Sequence, residues 1–264
     1  MNTKWTAPRI RALKGKRRIP VLTAADVVTA RLIDEAGLPM ILVGDSLGMT
    51  VLGYDNTLPV TLEQMLHHSA AVRRGAPNAM VITDLPFLTY QASIAEAVTN
   101  AGRCLKEAGV DGVKLEGGEI RVPHVRALVE NGIPVLGHIG LLPQSVHAMG
   151  GFRVQGKTED DIERLLRDAR ALDEAGVFAL VLEGMPADTA RRITEAVSVP
   201  TIGIGAGPRC DGQILVVNDV LGLTAKPPKF AKKYADLRGA MQQAFAAYRD
   251  EVEQGAYPGP EHQY

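Results

Sequence analysis

Three times in this chain the run Glu-Ala-Gly ends a helix-like pattern and leads into a short apolar stretch: Glu35-Ala36-Gly37, Glu107-Ala108-Gly109 and Glu174-Ala175-Gly176. Each glycine suits the left-handed backbone position just past a helix end. Seven residues beyond those glycines lie Gly44, Glu116 and Glu183, so three helix–strand units follow one plan. A repeated helix–strand unit implies parallel strands joined by right-handed crossovers, and few architectures satisfy that.

Short apolar runs at 19–23, 40–44, 80–84, 112–116, 134–139, 178–183, 201–204 and 213–217 read as strands, several with few polar residues. That is the pattern of parallel strands buried on both faces. Helices with start signals lie between them: Thr61-x-x-Gln64, Ser93-x-x-Glu96 and Thr158-x-x-Asp161 resemble capping boxes. The third continues through Ile162, Leu165, Leu166, Ala169 and Leu172, an apolar stripe for docking on a sheet. Eight strands in 264 residues predict an α/β fold, a (β/α)8 TIM-type barrel. No Pro-, Gly- or Ser-rich linker divides the chain, so residues 1–264 read as a single domain with a basic lead-in and a C-terminal helix and tail. A doubly wound open sheet is the alternative, but the Gly-x-Gly-x-x-Gly fingerprint after the first strand is missing.

Composition narrows the function classes. A net charge of −1 gives no footprint for nucleic acid or an acidic membrane, and no apolar run approaches a spanning helix. Cys104 and Cys210 form no C-x-x-C, which excludes a disulfide scaffold and a thiolate zinc site. No apolar leader core opens the chain, so a cytoplasmic enzyme acting on small molecules is expected, with neither nucleic-acid nor membrane partners. The first 18 residues do hold Lys4, Arg9, Arg11, Lys14, Lys16, Arg17 and Arg18 with no acid. A transit peptide would be Ser-rich and a nucleic-acid arm would interleave aromatics, whereas Ser is absent there and Trp5 stands alone. The segment reads as a solvated lead-in helix.

Polar residues gather where the strands end: Asp45-Ser46, Asp84, Lys114, Glu116, His138 and Glu183. The carboxyl ends of barrel strands are where such folds build their sites. Lys114 and Glu116 are two apart and share a strand face, the barrel lumen in an otherwise apolar strand. Each residue alone has a plainer explanation, an ion pair for Lys114 and Glu116 or helix caps for Asp45 and Asp84. Charge at five strand ends together favours a site. Carboxylates with one lysine and one histidine suit Mg²⁺ better than Zn²⁺. The glycines of 203–207 could cradle phosphate but read as a tight turn beside the site. Cys210 in that loop has no histidine close in sequence to activate it, and Cys104 sits on an apolar helix stripe. His67, His68 and His124 read as surface or packing residues, and His147 as a loop residue.

At these positions the chain resembles the ketopantoate hydroxymethyltransferase family over nearly its whole length. The matching runs include Val43-Gly-Asp-Ser-Leu-Gly-Met, Thr57-Leu-Pro-Val-Thr-Leu, Asp84-Leu-Pro-Phe, Lys114-Leu-Glu-Gly-Gly, Gly137-His-Ile-Gly, Pro143-Gln-Ser-Val and Gly150-Gly-Phe-Arg-Val-Gln-Gly-Lys. The resemblance implies transfer of a hydroxymethyl group from 5,10-methylenetetrahydrofolate to 3-methyl-2-oxobutanoate, giving 2-dehydropantoate through a Mg-stabilised enolate. It further implies Mg²⁺ on Asp45, Asp84 and Glu116, substrate contacts from Asp45, Ser46, Asp84, Lys114 and His138, Glu183 as the base, and a homodecamer. Ala25, Leu142 and Asn218 stand where the family commonly has Tyr, Thr and His. The alternatives are another Mg-dependent 2-oxo acid enzyme of the isocitrate lyase or phosphoenolpyruvate mutase type, and a non-catalytic metabolite-binding barrel.

Overall fold

In the computed structural model, which describes residues 4–264, the eight apolar runs become eight parallel strands closed into a barrel in sequence order. They are β1 (Ile19–Thr23), β2 (Met40–Val43), β3 (Met80–Asp84), β4 (Gly112–Glu116), β5 (Val135–Gly140), β6 (Ala179–Glu183), β7 (Thr201–Ile204) and β8 (Gly212–Leu215). Pairing of β8 with β1 completes the ring and leaves no open sheet edge. The doubly wound alternative is thereby excluded.

Helices run as α1 (Ala7–Arg11), α2 (Val27–Glu35), α3 (Leu47–Thr50), α4 (Leu62–Gly75), α5 (Ile94–Glu107), α6 (Val122–Glu130), α7 (Glu159–Ala175), α8 (Ala187–Ala196), α9 (Val217–Val220) and α10 (Leu237–Glu253). The start signals hold. Thr61 and Gln64 form a reciprocal capping box, while Ser93 and Thr158 each accept one backbone N–H. Gly37, Gly109 and Gly176 all have positive φ, as their place after a helix requires. No helix connects β7 to β8; residues 205–211 cross directly. The last strand also lies earlier than its apolar run suggests. Val217 opens α9, because a β-branched pair in a short run does not by itself distinguish strand from helix.

Alternation along the strands stacks the lumen in layers. Met80, Ile82 and Asp84 share one face of β3, and Ala179, Val181 and Glu183 share one face of β6. Two apolar side chains thus lie beneath each carboxylate. Met40, Leu42, Met80, Ile82, Leu136, Val181, Ile202 and Ile214 belong to one buried cluster, which Ile10 of α1 joins. The basic lead-in is therefore part of the fold. Lys4 pairs with Asp111 and Lys14 with Asp211 at 2.9 Å, acids that stand just ahead of β4 and β8.

Contacts divide the chain into two compact units, Met1–Val216 and Val217–Tyr264. Within the second, α10 exposes Leu237, Met241, Phe245, Tyr248 and Val252, and the ring of Tyr257 lies against that of Tyr248. Among the described residues no helix is long and apolar enough to cross a membrane.

Candidate active site at the carboxyl ends of the strands

Strand register decides which side chains meet. Asp84 is level with Lys114, Glu116 with His138, and Gly140 with Glu183. Lys114 and Glu116 are two apart, as are His138 and Gly140, so all these positions face the same side of the sheet. That side is the lumen. The predicted set Asp84, Lys114, Glu116, His138 and Glu183 is brought together by pairing alone.

Asp45 joins from the turn after β2, its backbone N–H donating to Asp84 Oδ2 at 3.1 Å. Ser46 opens α3 without using its hydroxyl as a cap, which leaves that oxygen available. Lys114 Nζ lies 2.5 Å from Asp84 Oδ1 and 3.6 Å from Glu116 Oε1. The ring of His138 lies between two carboxylates, Nδ1 3.5 Å from Glu116 Oε1 and Nε2 3.3 Å from Glu183 Oε2. Neither ring nitrogen makes an aligned hydrogen bond, and neither does Glu116 Oε1.

Glu183 stands apart in one respect. Its side chain is 17% exposed, whereas those of Asp84, Lys114, Glu116 and His138 are 5% or less. Glu183 therefore meets the mouth of the barrel while the others line its floor. The approach of β5 to this carboxylate depends on Gly140, at φ +99, where a Cβ would strike the Glu183 carbonyl.

Burial and mutual charge set the protonation states. Burial, reinforced by the Asp84 charge, pushes Asp45 well above the usual carboxylate range. Burial also raises Asp84, against the pull of Lys114. Burial opposes the charge on Lys114, but Asp84, Glu116 and Asp45 outweigh it and hold the ammonium protonated. Glu116 is lowered because Lys114 and His138 overcome its desolvation. Burial and Lys114 work against a charged His138, yet Glu116 and Glu183 raise it to about 9.

Asp45, Asp84 and Glu116 are not gathered as a ready ligand cluster; among the described residues no three His, Cys, Asp or Glu side chains are so placed. Lys114 lies between Asp84 and Glu116, and Gln144 joins Asp45 to Glu116. Gln144 and its partner Tyr90 escaped the sequence reading, since both lie in loops where periodicity carries no signal. Their only trace is the Pro143-Gln-Ser-Val run. Cys210 is buried with its thiol pushed up by burial, which does not suit a nucleophile, and Cys104 is core, raised by burial to about 12. His68 hydrogen-bonds the Ala25 carbonyl at 2.7 Å and takes no part in the lumen. A basic cleft of about 250 Å³, lined by Lys16, Arg17, Arg18 and Arg209, lies at the strands' amino ends, away from these groups.

The family model for ketopantoate hydroxymethyltransferase matches residues 4–260. A 3-methyl-2-oxobutanoate hydroxymethyltransferase of Moorella thermoacetica is 58% identical, covering 99% of this chain and 98% of its own. One from Syntrophobacter fumaroxidans is 55% identical, covering 100% and 94%. Among solved structures, 2,3-dimethylmalate lyase, a member of the phosphoenolpyruvate mutase/isocitrate lyase superfamily, superposes with a TM-score of 0.60. It is 16% identical and covers 98% of this chain and 91% of its own, a likeness of fold. At such identity over the whole length, this chain belongs to the ketopantoate hydroxymethyltransferase family.

Proposed function

We propose that the protein transfers a hydroxymethyl group from 5,10-methylenetetrahydrofolate to 3-methyl-2-oxobutanoate, giving 2-dehydropantoate; its relatives' names support hydroxymethyl transfer to that acid. The observation that carries the chemistry is a carboxylate at the barrel mouth, Glu183, beside a buried charged floor. Removing the C3 proton of a 2-oxo acid needs a positioned base and a site that stabilises the negative charge developing on the ketone oxygen. Glu183 takes that proton. Lys114 carries fixed positive charge for the substrate's carboxylate and ketone, and the free Ser46 hydroxyl donates to the carboxylate. His138 orients Glu183.

The residues fit a divalent cation. Asp45, Asp84, Glu116 and Glu183 set four carboxyl groups beside two basic groups, Lys114 and His138, and burial with mutual charge raises Asp45 and Asp84, which a divalent cation would offset. Glu116 Oε1 is buried without a hydrogen-bond partner, and every acidic donor is a hard oxygen. Asp45, Asp84 and Glu116 would hold Mg²⁺, which supplies Lewis-acid polarisation of the 2-oxo group. The protein is expected to work as a homo-oligomer in the cytoplasm, acting on small molecules alone.

Incubation with both substrates, Mg²⁺ present or chelated, tests the reading. Product that needs the folate and Mg²⁺ supports it. Turnover of other 2-oxo acids in preference, or Mg²⁺-dependent binding of 3-methyl-2-oxobutanoate without product, would replace it with one of the two alternative readings.

A further inference from the structure

Gln144 lies on the 3-10 turn Pro143–Ser145 that follows β5, and it is buried. Its amide is fully satisfied. Nε2 donates to Asp45 Oδ2 at 2.9 Å and to the Leu85 carbonyl at 2.9 Å. Oε1 accepts from the Tyr90 hydroxyl at 2.8 Å and from Gln91 Nε2 at 3.1 Å. A primary amide offers two donors and two acceptor sites, and all four are used. Turning the amide over would set its oxygen against a carboxylate and a carbonyl, so only this orientation fits. The backbone N–H of Gln144 also donates to Glu116 Oε2 at 3.1 Å.

One residue therefore touches both carboxylates, Asp45 through its side chain and Glu116 through its backbone N–H. Tyr90 ties the arrangement to a third point, since its hydroxyl also accepts the Glu116 N–H at 3.1 Å. The loop that delivers Tyr90 turns through Leu88 at φ +63, a left-handed conformation that a branched side chain adopts only when its surroundings impose it. Asp45 comes from the turn after β2, Leu85 and Tyr90 from the loop after β3, Glu116 from β4 and Gln144 from the turn after β5. Four successive strand ends are cross-braced through one residue, by its side-chain amide and its backbone N–H.

We propose that Gln144, held by Tyr90, is a positioning residue that fixes Asp45 and Glu116 in the orientation required by the substrate and its divalent cation. The proposal rests on the reaction assigned above. The residue type follows from the chemistry. Glutamate has the same shape but would face Asp45 with like charge, and methionine would leave Asp45 and the Leu85 carbonyl without these partners in a dry site and take one partner from the Tyr90 hydroxyl. Groups that orient metal-binding carboxylates affect metal affinity or activity by about 10–100-fold when removed.

Gln144→Met, Gln144→Glu and Tyr90→Phe in the full chain test this with three readouts: thermal midpoint, Mn²⁺ affinity without substrate, and C3 proton exchange of 3-methyl-2-oxobutanoate in D₂O. Gln144→Met is expected to weaken Mn²⁺ binding and slow exchange, each by about 10–100-fold, with Tyr90→Phe showing a smaller loss in the same direction. A lowered midpoint with wild-type Mn²⁺ affinity and exchange would mean a purely structural role and would overturn the proposal. If Gln144→Met fails to fold, Tyr90→Phe, which removes one oxygen and keeps the ring, decides by the same readouts. Should the wild type bind Mn²⁺ yet exchange no proton, the reaction assignment fails, while the Mn²⁺ affinities of the variants still judge the brace.

Discussion

His138 Nε2 lies 3.3 Å from Glu183 Oε2, and the same ring lies 3.5 Å from Glu116 on its other side. One imidazole thus links the carboxylate at the mouth of the barrel to the charged floor beneath it. Asparagine at His138 is shorter and uncharged and can reach only one of the two acids. His138→Asn is expected to slow C3 proton exchange by roughly 10²-fold, the scale of a misplaced catalytic group. Exchange followed by NMR at the wild-type rate would show that Glu183 needs no such anchor.

Lys114 offers a different test, of charge rather than orientation. Its ammonium is buried against Asp84 and Glu116, and removing one partner of a buried pair leaves uncompensated charge that costs about 3–5 kcal/mol. Lys114→Met should lose stability on that scale in chelator. Millimolar Mg²⁺ should restore more stability to the variant than it adds to the wild type, because the cation then supplies the missing positive charge. Equal Mg²⁺ responses in paired denaturant titrations would contradict the cation site assigned to these carboxyl groups.

At the other end of the barrel, Asp211 accepts from the Thr201 N–H at 2.9 Å, the Gly15 N–H at 3.2 Å and Lys14 Nζ at 2.9 Å. Burial works against its charge, but these donors overcome it and hold the carboxyl below its ordinary value. A lowered folded-state value means that the stabilisation is present above the unfolded pKa, about 4, and fades as pH falls through the folded value. Asp211→Asn should therefore cost roughly 2 kcal/mol at neutral pH, the scale of hydrogen bonds to a charged group. The gap to wild type should narrow below pH 4. A gap independent of pH would remove the charge from the explanation.

The parts of this protein readable from sequence are those governed by period. Two-residue alternation placed Lys114 and Glu116 on one face, and the three Glu-Ala-Gly runs marked helix ends that do turn through positive φ. Register then supplied what alternation could not, the meeting of Asp84 with Lys114 and of Glu116 with His138 across separate strands. Gln144 and Tyr90 stayed hidden because their roles arise from hydrogen bonds between loops 54 residues apart. The basic lead-in was ambiguous for a similar reason. Lys4 and Lys14 find Asp111 and Asp211 only once the barrel closes.

If Glu183 is the base, removal of the C3 proton is a step separable from the folate chemistry. The direct measurement is C3 exchange of 3-methyl-2-oxobutanoate in D₂O with Mg²⁺ and no folate, comparing wild type with Glu183→Gln. Glutamine keeps the shape and removes the basicity. Wild type should exchange the proton, and the variant should be slower by roughly 10²–10⁴-fold, the usual contribution of a positioned general base. Exchange in Glu183→Gln at the wild-type rate would contradict the account and move the base to another residue, His138 first.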